Sequence, residues 1–376
     1  MKLKTLLIVV GLLAVASLAV YFVNRPTAPT PADPRVGQPL LATDVLAQAT
    51  RFTLSENGNT VELTKAGEGA WRVASYHDLP ADFGKLSRFV NDLTEARIDS
   101  FVTSNPTRLD RLEFDDTRIA LANGDATLWS VTLGKHADGG GRFIRFGDEQ
   151  KAFRTRLSAW LDTTSRNWAD AALVDLKPEQ VARIEVELPD ADPIIATREN
   201  AEGRFAIENA PEDRQLRASS VNSLLTTLTG IRFNDTSSAG ADEVAAAREH
   251  QRKVTLTTFD GQTLTIALGR KPEQTIVKPA EATSETGGPA SVIGTATEAP
   301  KSDEAGPAAI VEGKTETIPA GPVYAFISGP APLAKLADAP ENLAFKVSDY
   351  IFTSLPKTRD EWLEPKPAAE KAESGE

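Results

Sequence analysis

The chain has 376 residues, with 41 lysines and arginines against 53 aspartates and glutamates, so its formal net charge is −12. This acidic balance argues against a nucleic-acid-binding protein, because affinity for a phosphate backbone depends on clustered basic side chains. No cysteine is present, which excludes a disulfide framework, a thiolate nucleophile and a cysteine-based metal site.

An apolar run at residues 6–23 follows Lys2 and Lys4. As a helix it would reach about 27 Å at roughly 1.5 Å per residue, close to the thickness of a bilayer core. The run predicts a signal anchor or transmembrane helix over residues 1–24, with the lysines holding the amino terminus in the cytoplasm. A cleaved signal peptide is the alternative, because small-x-small patterns occur at residues 14–16 and 17–19. Under both readings the rest of the chain is exported, and with the anchor retained we expect a single-pass protein of the bacterial inner membrane, mostly periplasmic.

Residues 25–39 contain five prolines and few large apolar side chains. This composition predicts an extended, semi-rigid tether, with the folded part beginning near Leu40. Without Lys2 and Lys4, 39 basic side chains face 53 acidic ones, a formal charge of −14 outside the membrane.

The first folded segment is predicted over residues 40–170. Strand-like runs flank a turn at Asn57-Gly58, and Asp82 is a plausible N-cap for a following amphipathic helix. That helix carries apolar residues at the i, i+3, i+4, i+7 spacing of a helix packed against a sheet. Later strands surround Asn123-Gly124, and the segment ends at Arg166-Asn167-Trp168.

A second segment, residues 171–364, repeats this order and closes at Arg359-Asp360-Glu361-Trp362. It contains a stretch at residues 270–321 that is rich in Ala, Pro, Glu, Thr and Gly and has no aromatic residue. Such a stretch cannot bury enough apolar surface to offset its ordering entropy, so we expect a disordered insertion there. Residues 365–376 are expected to form a frayed tail.

The two segments share one spacing. In both, a four-residue apolar helical pattern is followed by Arg-apolar, and a later hairpin ends in Leu-Gly. The pattern predicts an α+β protein: a transmembrane helix, then two tandem copies of an antiparallel sheet covered by a helix. The paired apolar positions are Leu86, Phe89, Val90 and Leu93 in the first segment and Val221, Leu224, Leu225 and Leu228 in the second.

Three histidines and one serine are candidates for catalytic or metal-binding residues. His77, His136 and His250 lie far apart and lack a partner at metal-ligand spacing. Ser354 and Lys357 match the Ser-x-x-Lys spacing of penicillin-binding serine enzymes, but Pro356 lies between them and the companion motifs are missing. A turn is the simpler interpretation.

Other motifs also favour structural roles. Two acidic motifs lack the spacing of a calcium loop and are typical of turns: Asp115-Asp116 and Asp190-Ala191-Asp192. The glycines at residues 139–141 lack the lysine and helix start of a phosphate loop. Trp71, Trp168 and Trp362 are expected to pack, since the last two hold equivalent positions. We therefore assign no catalytic, cofactor-binding or metal-binding residue and expect no cofactor.

Several short motifs together resemble the domain of unknown function 4340 family over nearly the whole chain after Leu40. The resemblance implies a membrane-anchored extracytoplasmic protein, often encoded beside an ABC transporter and a gliding-motility-type auxiliary protein. It carries over no catalytic residue, and the long insertion after Gly269 departs from the compact family pattern. The motifs are the apolar amino-terminal run, Trp71-Arg72-Val73, Pro80-Ala81-Asp82, Asn123-Gly124, Leu133-Gly134-Lys135 and Arg142-Phe143-Ile144-Arg145.

The leading hypothesis is a non-enzymatic, membrane-anchored periplasmic accessory or binding protein of an ABC-type transport system. Its partners would be the transporter's membrane subunits or a gliding-motility-type auxiliary protein, with contact to the inner membrane through residues 6–23 and none to nucleic acid. Two alternatives stay open: a structural scaffold that binds peptidoglycan or another envelope protein, and an unrecognised hydrolase.

Overall fold

The computed structural model describes residues 33–189, 191–278, 314–331 and 333–366. The chain separates into two compact units: unit 1 ends at Asp170, and unit 2 begins at Ala171. Both consist mainly of antiparallel strands with few helices, which confirms the α+β class.

Unit 1 builds one antiparallel sheet with the strand order β4-β3-β2-β1-β6-β7-β8-β9-β5. The predicted turn between β1 and β2 is present, with positive φ at both Asn57 (51°) and Gly58 (77°). The described elements in chain order are α1 Thr43–Gln48, β1 Arg51–Glu56, β2 Asn59–Lys65, β3 Trp71–Val73, β4 Leu79–Pro80, α2 Phe83–Glu95, β5 Ile98–Thr103, α3 Pro106–Leu109, β6 Arg118–Asn123, β7 Ala126–His136, β8 Arg142–Phe146 and β9 Ala152–Thr155.

Helix α2 packs on this sheet through the predicted apolar face. Its N-cap is Asp82, whose carboxylate accepts a hydrogen bond from the Lys85 N–H at 2.9 Å, as the sequence predicts. Phe89 of the helix, Phe52 of β1 and Trp168 form a ring cluster with centroid separations of 5.4–5.8 Å. Full burial of one such side chain stabilises the fold by about 1.5–3 kcal/mol, so this cluster holds the helix to the sheet.

The chain enters unit 1 earlier than predicted. Residues 33–39, expected to belong to the tether, are bound to the start of β5: the Gly37 N–H donates to the Ile98 carbonyl at 2.8 Å. Arg35 forms ion pairs with Asp33 and Glu149 and lies 4.6 Å from the centroid of the Phe153 ring. These contacts order a proline-rich segment that has little apolar surface of its own, so the tether prediction was wrong for these residues.

Unit 2 contains an eight-stranded antiparallel sheet with the order β12-β11-β10-β15-β16-β19-β20-β14. Its elements are β10 Val181–Val186, β11 Ile194–Thr197, β12 Ala206–Ile207, β13 Arg214–Leu216, α4 Ala218–Thr229, β14 Phe233–Ser238, α5 Asp242–Glu249, β15 Gln251–Thr258, β16 Thr263–Gly269, β17 Gln274–Lys278, β18 Lys314–Ile318, β19 Val323–Ser328, β20 Leu343–Val347, α6 Asp349–Thr353 and β21 Leu363–Pro365.

The two sheets have the same strand order. β1 matches β10, β5 matches β14 and β6 matches β15, and the other strands follow in chain order once β17 and β18, which form a separate ribbon, are left out. Each strand of the unit 2 sheet then has the same neighbours as its counterpart. One strand differs: β4 joins the main sheet of unit 1, whereas β13 pairs with β21 in a separate ribbon. This pairing also orders Lys366, whose N–H donates to the Asp213 carbonyl at 2.9 Å, so the frayed tail begins later than residue 365.

The shared Leu-Gly pair marks a close backbone crossing in each unit. A Cβ placed on Gly134 of β7 would lie 2.4 Å from the Leu112 carbonyl oxygen, and one on Gly269 of β16 would lie 1.9 Å from that of Ala247. In both units the carbonyl belongs to the helical segment that precedes the strand pair. Only glycine leaves room for this approach, which explains why both hairpins end in the same residue pair.

The expected disordered insertion is ordered at both ends. Strands β17 and β18 pair from Gln274↔Ile318 to Lys278↔Lys314, so the prediction was wrong for these residues. Because β16 and β19 bring the two chain ends side by side, the backbone hydrogen bonds continue beyond the sheet. Residues 279–313 lie outside the described part of the chain.

In the described part of the chain, no helix combines the length and the apolar character needed to span a bilayer. The predicted anchor at residues 6–23 lies outside the described residues.

Candidate functional site

In unit 1 a lysine lies over Trp168, which we call the closing tryptophan because it lies near the end of this unit. The Lys85 ammonium group is 4.7 Å from the centroid of the Trp168 ring and 2.6 Å from the Asp162 carboxylate. It also donates to the Asn167 carbonyl at 3.1 Å. Asn167 in turn donates through its side-chain amide to Asp162 at 3.0 Å, so three linked side chains cover this position.

The linked side chains also set the charge state of Asp162. Burial by itself would raise the pKa of this carboxyl, but hydrogen bonds from Lys85, the Thr164 N–H and Asn167 lower it below the usual value. Asp162 is therefore ionised at neutral pH and neutralises Lys85.

Backbone contacts identify the same position in unit 2. The Asp82 N–H donates to the Trp168 carbonyl at 2.7 Å, and the Arg217 N–H donates to the Trp362 carbonyl at 2.7 Å. In each unit this bond joins the residue before the long helix to the last residue of a four-residue 3₁₀ helix, Ser165–Trp168 or Arg359–Trp362. Positions can thus be matched by counting from these two points.

The side chains that cover Trp168 are replaced in unit 2. Counting along the helix puts Ser220 at the position of Lys85, and counting back from the tryptophan puts Pro356 and Glu361 at those of Asp162 and Asn167. All three line an open cleft of about 440 Å³. The unit 2 cleft is defined by Arg217, Ser219, Ser220, Ser223, Leu224, Thr227, Tyr350, Thr353, Ser354, Pro356, Glu361 and Trp362.

One wall of the unit 2 cleft is a row of hydroxyls on α4. Within the described part of the chain, these hydroxyls have no hydrogen-bond partner. The lining also includes Tyr350 of α6, which is 66% exposed, and the buried Trp362. The hydroxyl row consists of Ser219, Ser220, Ser223 and Thr227.

The two charged groups at the cleft already have partners in the protein. The Arg217 guanidinium donates to the Leu363 carbonyl at 3.3 Å and lies 3.8 Å from the Glu364 carboxylate. Glu361 accepts a hydrogen bond from the Lys357 N–H at 3.0 Å. The cleft thus offers mainly neutral polar groups to a ligand.

Unit 1 has a different concavity, an apolar groove of about 270 Å³ between α1, α2 and the sheet. Phe83, at its rim, is 72% exposed. The groove is lined by Leu46, Ala47, Ala49, Phe52, Lys65, Trp71, Phe83, Leu86, Ser87, Val90, Asn91 and Leu121.

Ser354, the candidate nucleophile, is the C-cap residue of α6. Its hydroxyl donates to the Ile351 carbonyl at 2.8 Å, and Lys357 lies beyond α6. The two residues therefore do not occupy one helical turn, as the Ser-x-x-Lys arrangement needs. The segment is a turn, as the alternative interpretation had it.

The three histidines lie in separate exposed places: His77 in the turn between β3 and β4, His136 at the end of β7, and His250 after α5. Within the ranges that the structure describes, no group of three or more His, Asp or Glu side chains is arranged to hold a metal ion.

The acidic and glycine motifs lie in turns and exposed segments. The Asp116 carboxylate accepts the Gly58 N–H of the β1–β2 turn at 2.8 Å, which lowers its pKa. Gly139, Gly140 and Gly141 all have positive φ at the tip of the β7–β8 hairpin. Asp115 and Asp192 are exposed, and Asp190 lies outside the described residues.

The three tryptophans that were expected to pack divide into two groups. Trp168 is completely buried, which confirms its predicted packing role, and Trp362 is 3% exposed in the lining of the unit 2 cleft. Trp71 is only partly buried and lines the apolar groove.

A buried tyrosine joins α5 to the unit 2 sheet. The Tyr324 hydroxyl donates to the Glu243 carboxylate, which also accepts from Ser237 at 3.1 Å and lies 3.6 Å from Lys346. Burial and the Glu243 contact raise the pKa of Tyr324 to about 12, and the Tyr324 hydrogen bond lowers the pKa of Glu243. This cluster is structural, since Tyr324 has no exposed surface.

Sequence reasoning missed the unit 2 cleft, because its residues are ordinary serines and threonines without a motif. A signal was available: two segments with one helical spacing differ at the helix position of Lys85 and Ser220. The helix position alone does not show what this difference does. Asp162 must also be matched to Pro356, and that match depends on the backbone hydrogen bond that each closing tryptophan accepts.

The fold and the cleft define a sheet-rich α+β protein with two units of equal strand order, one of which has an open polar cleft. The family model described as "Domain of unknown function (DUF4340)" matches residues 71–251. This match confirms the resemblance to the family over those residues, a shorter stretch than the one expected after Leu40; it extends from β3 of unit 1 to the start of β15 in unit 2. No curated protein and no solved structure matches the chain significantly.

Proposed function

We propose that this protein is a non-enzymatic accessory or binding protein of the bacterial cell envelope that works with an ABC-type transport system. Residues 6–23 anchor it in the inner membrane, and the two units lie in the periplasm as tandem copies, each a sheet covered by a helix. Its partners are the membrane subunits of the transporter or a gliding-motility-type auxiliary protein.

One observation supports a binding role most directly. The position over the closing tryptophan is covered by Lys85, Asp162 and Asn167 in unit 1, whereas its counterpart in unit 2 is an open cleft. A polar cleft of this size can bind a ligand without offering a reacting group. Unit 1 then serves as scaffold and unit 2 as the binding unit.

The transporter assignment is tested by purification from native membranes. The tagged full-length chain, solubilised in mild detergent after brief crosslinking, is expected to retain a permease and an ATPase subunit. As a control, a chain with residues 1–24 replaced by a cleavable signal peptide should lose most of this association. Isolation of the full-length chain without either subunit would refute the assignment.

The state of the amino terminus is tested on the same preparation. Intact-mass measurement should show a chain that retains residues 6–23. A mature chain starting after residue 16 or 19 would instead establish a cleaved signal peptide.

An envelope scaffold is the second candidate, favoured by the contacts of Arg35. Ion pairs to Asp33 and Glu149 and the stacking on Phe153 fix the point at which the amino-terminal segment leaves unit 1. Sedimentation with purified peptidoglycan distinguishes the two roles, because strong retention without transporter subunits would favour the scaffold.

The hydrolase alternative has a direct genetic test. The Ser354 hydroxyl is bonded to its own helix and Lys357 is outside that helix, so the variant Lys357→Ala, which removes the base that a Ser-x-x-Lys enzyme needs and lies outside the cleft lining, is expected to complement a deletion strain fully. The same result is expected for alanine variants of the three histidines. Loss of complementation by a stable variant would restore the hydrolase hypothesis.

A further inference from the structure

We propose that the unit 2 cleft binds a neutral saccharide, with a sugar ring against Tyr350 and its hydroxyl groups bonded to the hydroxyl row of α4. This ligand class deepens the binding role proposed above and rests on it.

The hydroxyl row suits a ligand that both donates and accepts hydrogen bonds. Serine and threonine hydroxyls can do either, as sugar hydroxyls can. The four on α4 have no partner among the described residues and face the same cleft. Each bond with a ligand hydroxyl therefore replaces water without breaking a contact within the protein.

The aromatic ring suits the apolar face of a sugar. Tyr350 lines the same cleft and is 66% exposed, so a ring stacked on it would cover apolar surface that is now in water. The cleft volume of about 440 Å³ lies within the range of about 300–1,000 Å³ found for small-molecule sites.

The charge balance favours a neutral ligand over a phosphate or a carboxylate. Arg217 is shared between the Leu363 carbonyl and Glu364, so it offers no unpaired guanidinium. An anion would also meet the Glu361 carboxylate at the cleft, and close like charges disfavour binding. A cation would meet Arg217 in the same way.

Unit 1 shows what closes such a cleft. There, a lysine lies over the tryptophan and is neutralised by Asp162. In unit 2 the three covering positions are Ser220, Pro356 and Glu361, and all three line the opening. The accessible site thus results from replacing one set of linked side chains on a shared fold.

The test is calorimetric titration of the full-length chain with N,N′-diacetylchitobiose and, separately, with maltose. The detergent must carry no sugar headgroup, so that it does not compete. At least one disaccharide is expected to bind with a Kd of about 10⁻⁴–10⁻³ M, typical of a small polar ligand with few buried contacts. Inorganic phosphate, used as the anionic probe, should bind at least tenfold more weakly.

The variant Ser220→Lys restores the residue that closes the cleft in unit 1. It should weaken disaccharide binding at least tenfold, and Tyr350→Ala should do the same by removing the exposed ring. The matched control is Asn222→Lys, the same change in charge about 200° around the helix and outside the cleft. Circular dichroism and the melting temperature should be unchanged in all three.

Absence of binding for both disaccharides would overturn the saccharide assignment, as would equal losses in Ser220→Lys and Asn222→Lys. Tighter binding of phosphate than of either disaccharide would overturn it too. These outcomes leave the transporter assignment intact if the permease and ATPase still co-purify. Conversely, saccharide binding by a chain that retains no transporter subunit would refute the transporter role alone.

Discussion

Removing the Asp162 carboxylate should destabilise unit 1 by about 2–3 kcal/mol. In the variant Asp162→Ala, the Lys85 ammonium, the Thr164 N–H and the Asn167 amide all lose their charged acceptor. A hydrogen bond to a charged group contributes about 1.5–3 kcal/mol, and breaking a fully buried ion pair costs about 3–5 kcal/mol. Because the Lys85 and Asp162 side chains are 24% and 15% exposed, water compensates part of this loss.

Urea unfolding measures the effect through the transition midpoint. With a slope of about 1–3 kcal/mol per molar urea, the expected loss of about 2–3 kcal/mol moves the midpoint by roughly 0.7–3 M. Hydrogen exchange of the α2 amides locates the change in unit 1, since this helix carries Lys85. A double-mutant cycle with Lys85→Met isolates the pair, and the double variant should recover part of the loss.

The pH dependence supplies an independent check. Because the folded pKa of Asp162 is lowered, its contribution is fully present above the unfolded pKa of about 3.9 and is lost as the pH falls through the folded value. The difference between wild type and Asp162→Ala should therefore shrink below about pH 4. A loss under about 0.5 kcal/mol at neutral pH, or no coupling to Lys85, would refute this account of the ion pair.

Three further outcomes follow from the packing. Gly134→Ala should lower the free energy of unfolding by about 1–3 kcal/mol, because its Cβ would overlap a backbone carbonyl. The control Gly67→Ala has open space around it and should stay within about 0.5 kcal/mol of wild type in the same urea assay. Arg35→Ala should expose residues 33–39 to limited proteolysis while the sheet resists, and equal resistance of both chains would contradict the proposed contacts. Tyr324→Phe should cost about 1 kcal/mol. Wild type should also lose stability as the pH rises from about 10 to about 12, because burial and the Glu243 contact raise the folded pKa of Tyr324. The phenylalanine variant should lack this loss, and an identical alkaline profile in both proteins would disprove the raised pKa of Tyr324.

Local features of the fold were predictable because their causes lie within a few residues. The spacing of Leu86, Phe89 and Leu93 predicts the buried face of α2, and Asp82 caps that helix as expected. The Asn57-Gly58 turn depends on a positive φ that these two residues tolerate.

Edge strands and extensions were harder to predict because they depend on distant partners. β5 and β14 carry no strong alternation and exist through pairing with β9 and β20. The β17–β18 ribbon likewise depends on β16 and β19 holding its two ends together. Residues 33–39 are ordered by Arg35, whose partners Glu149 and Phe153 lie more than a hundred residues away.

The sequence by itself determined the α+β class, the common spacing of two segments and the family resemblance, because each depends only on local periodicity, turn residues and short motifs. Only the tertiary structure decided which of the two units has an accessible site. Lys85 and Asp162 are 77 positions apart, and their counterparts Ser220 and Pro356 are farther apart still. Whether such residues cover a tryptophan or leave it beneath an open cleft depends on distances that the fold alone sets.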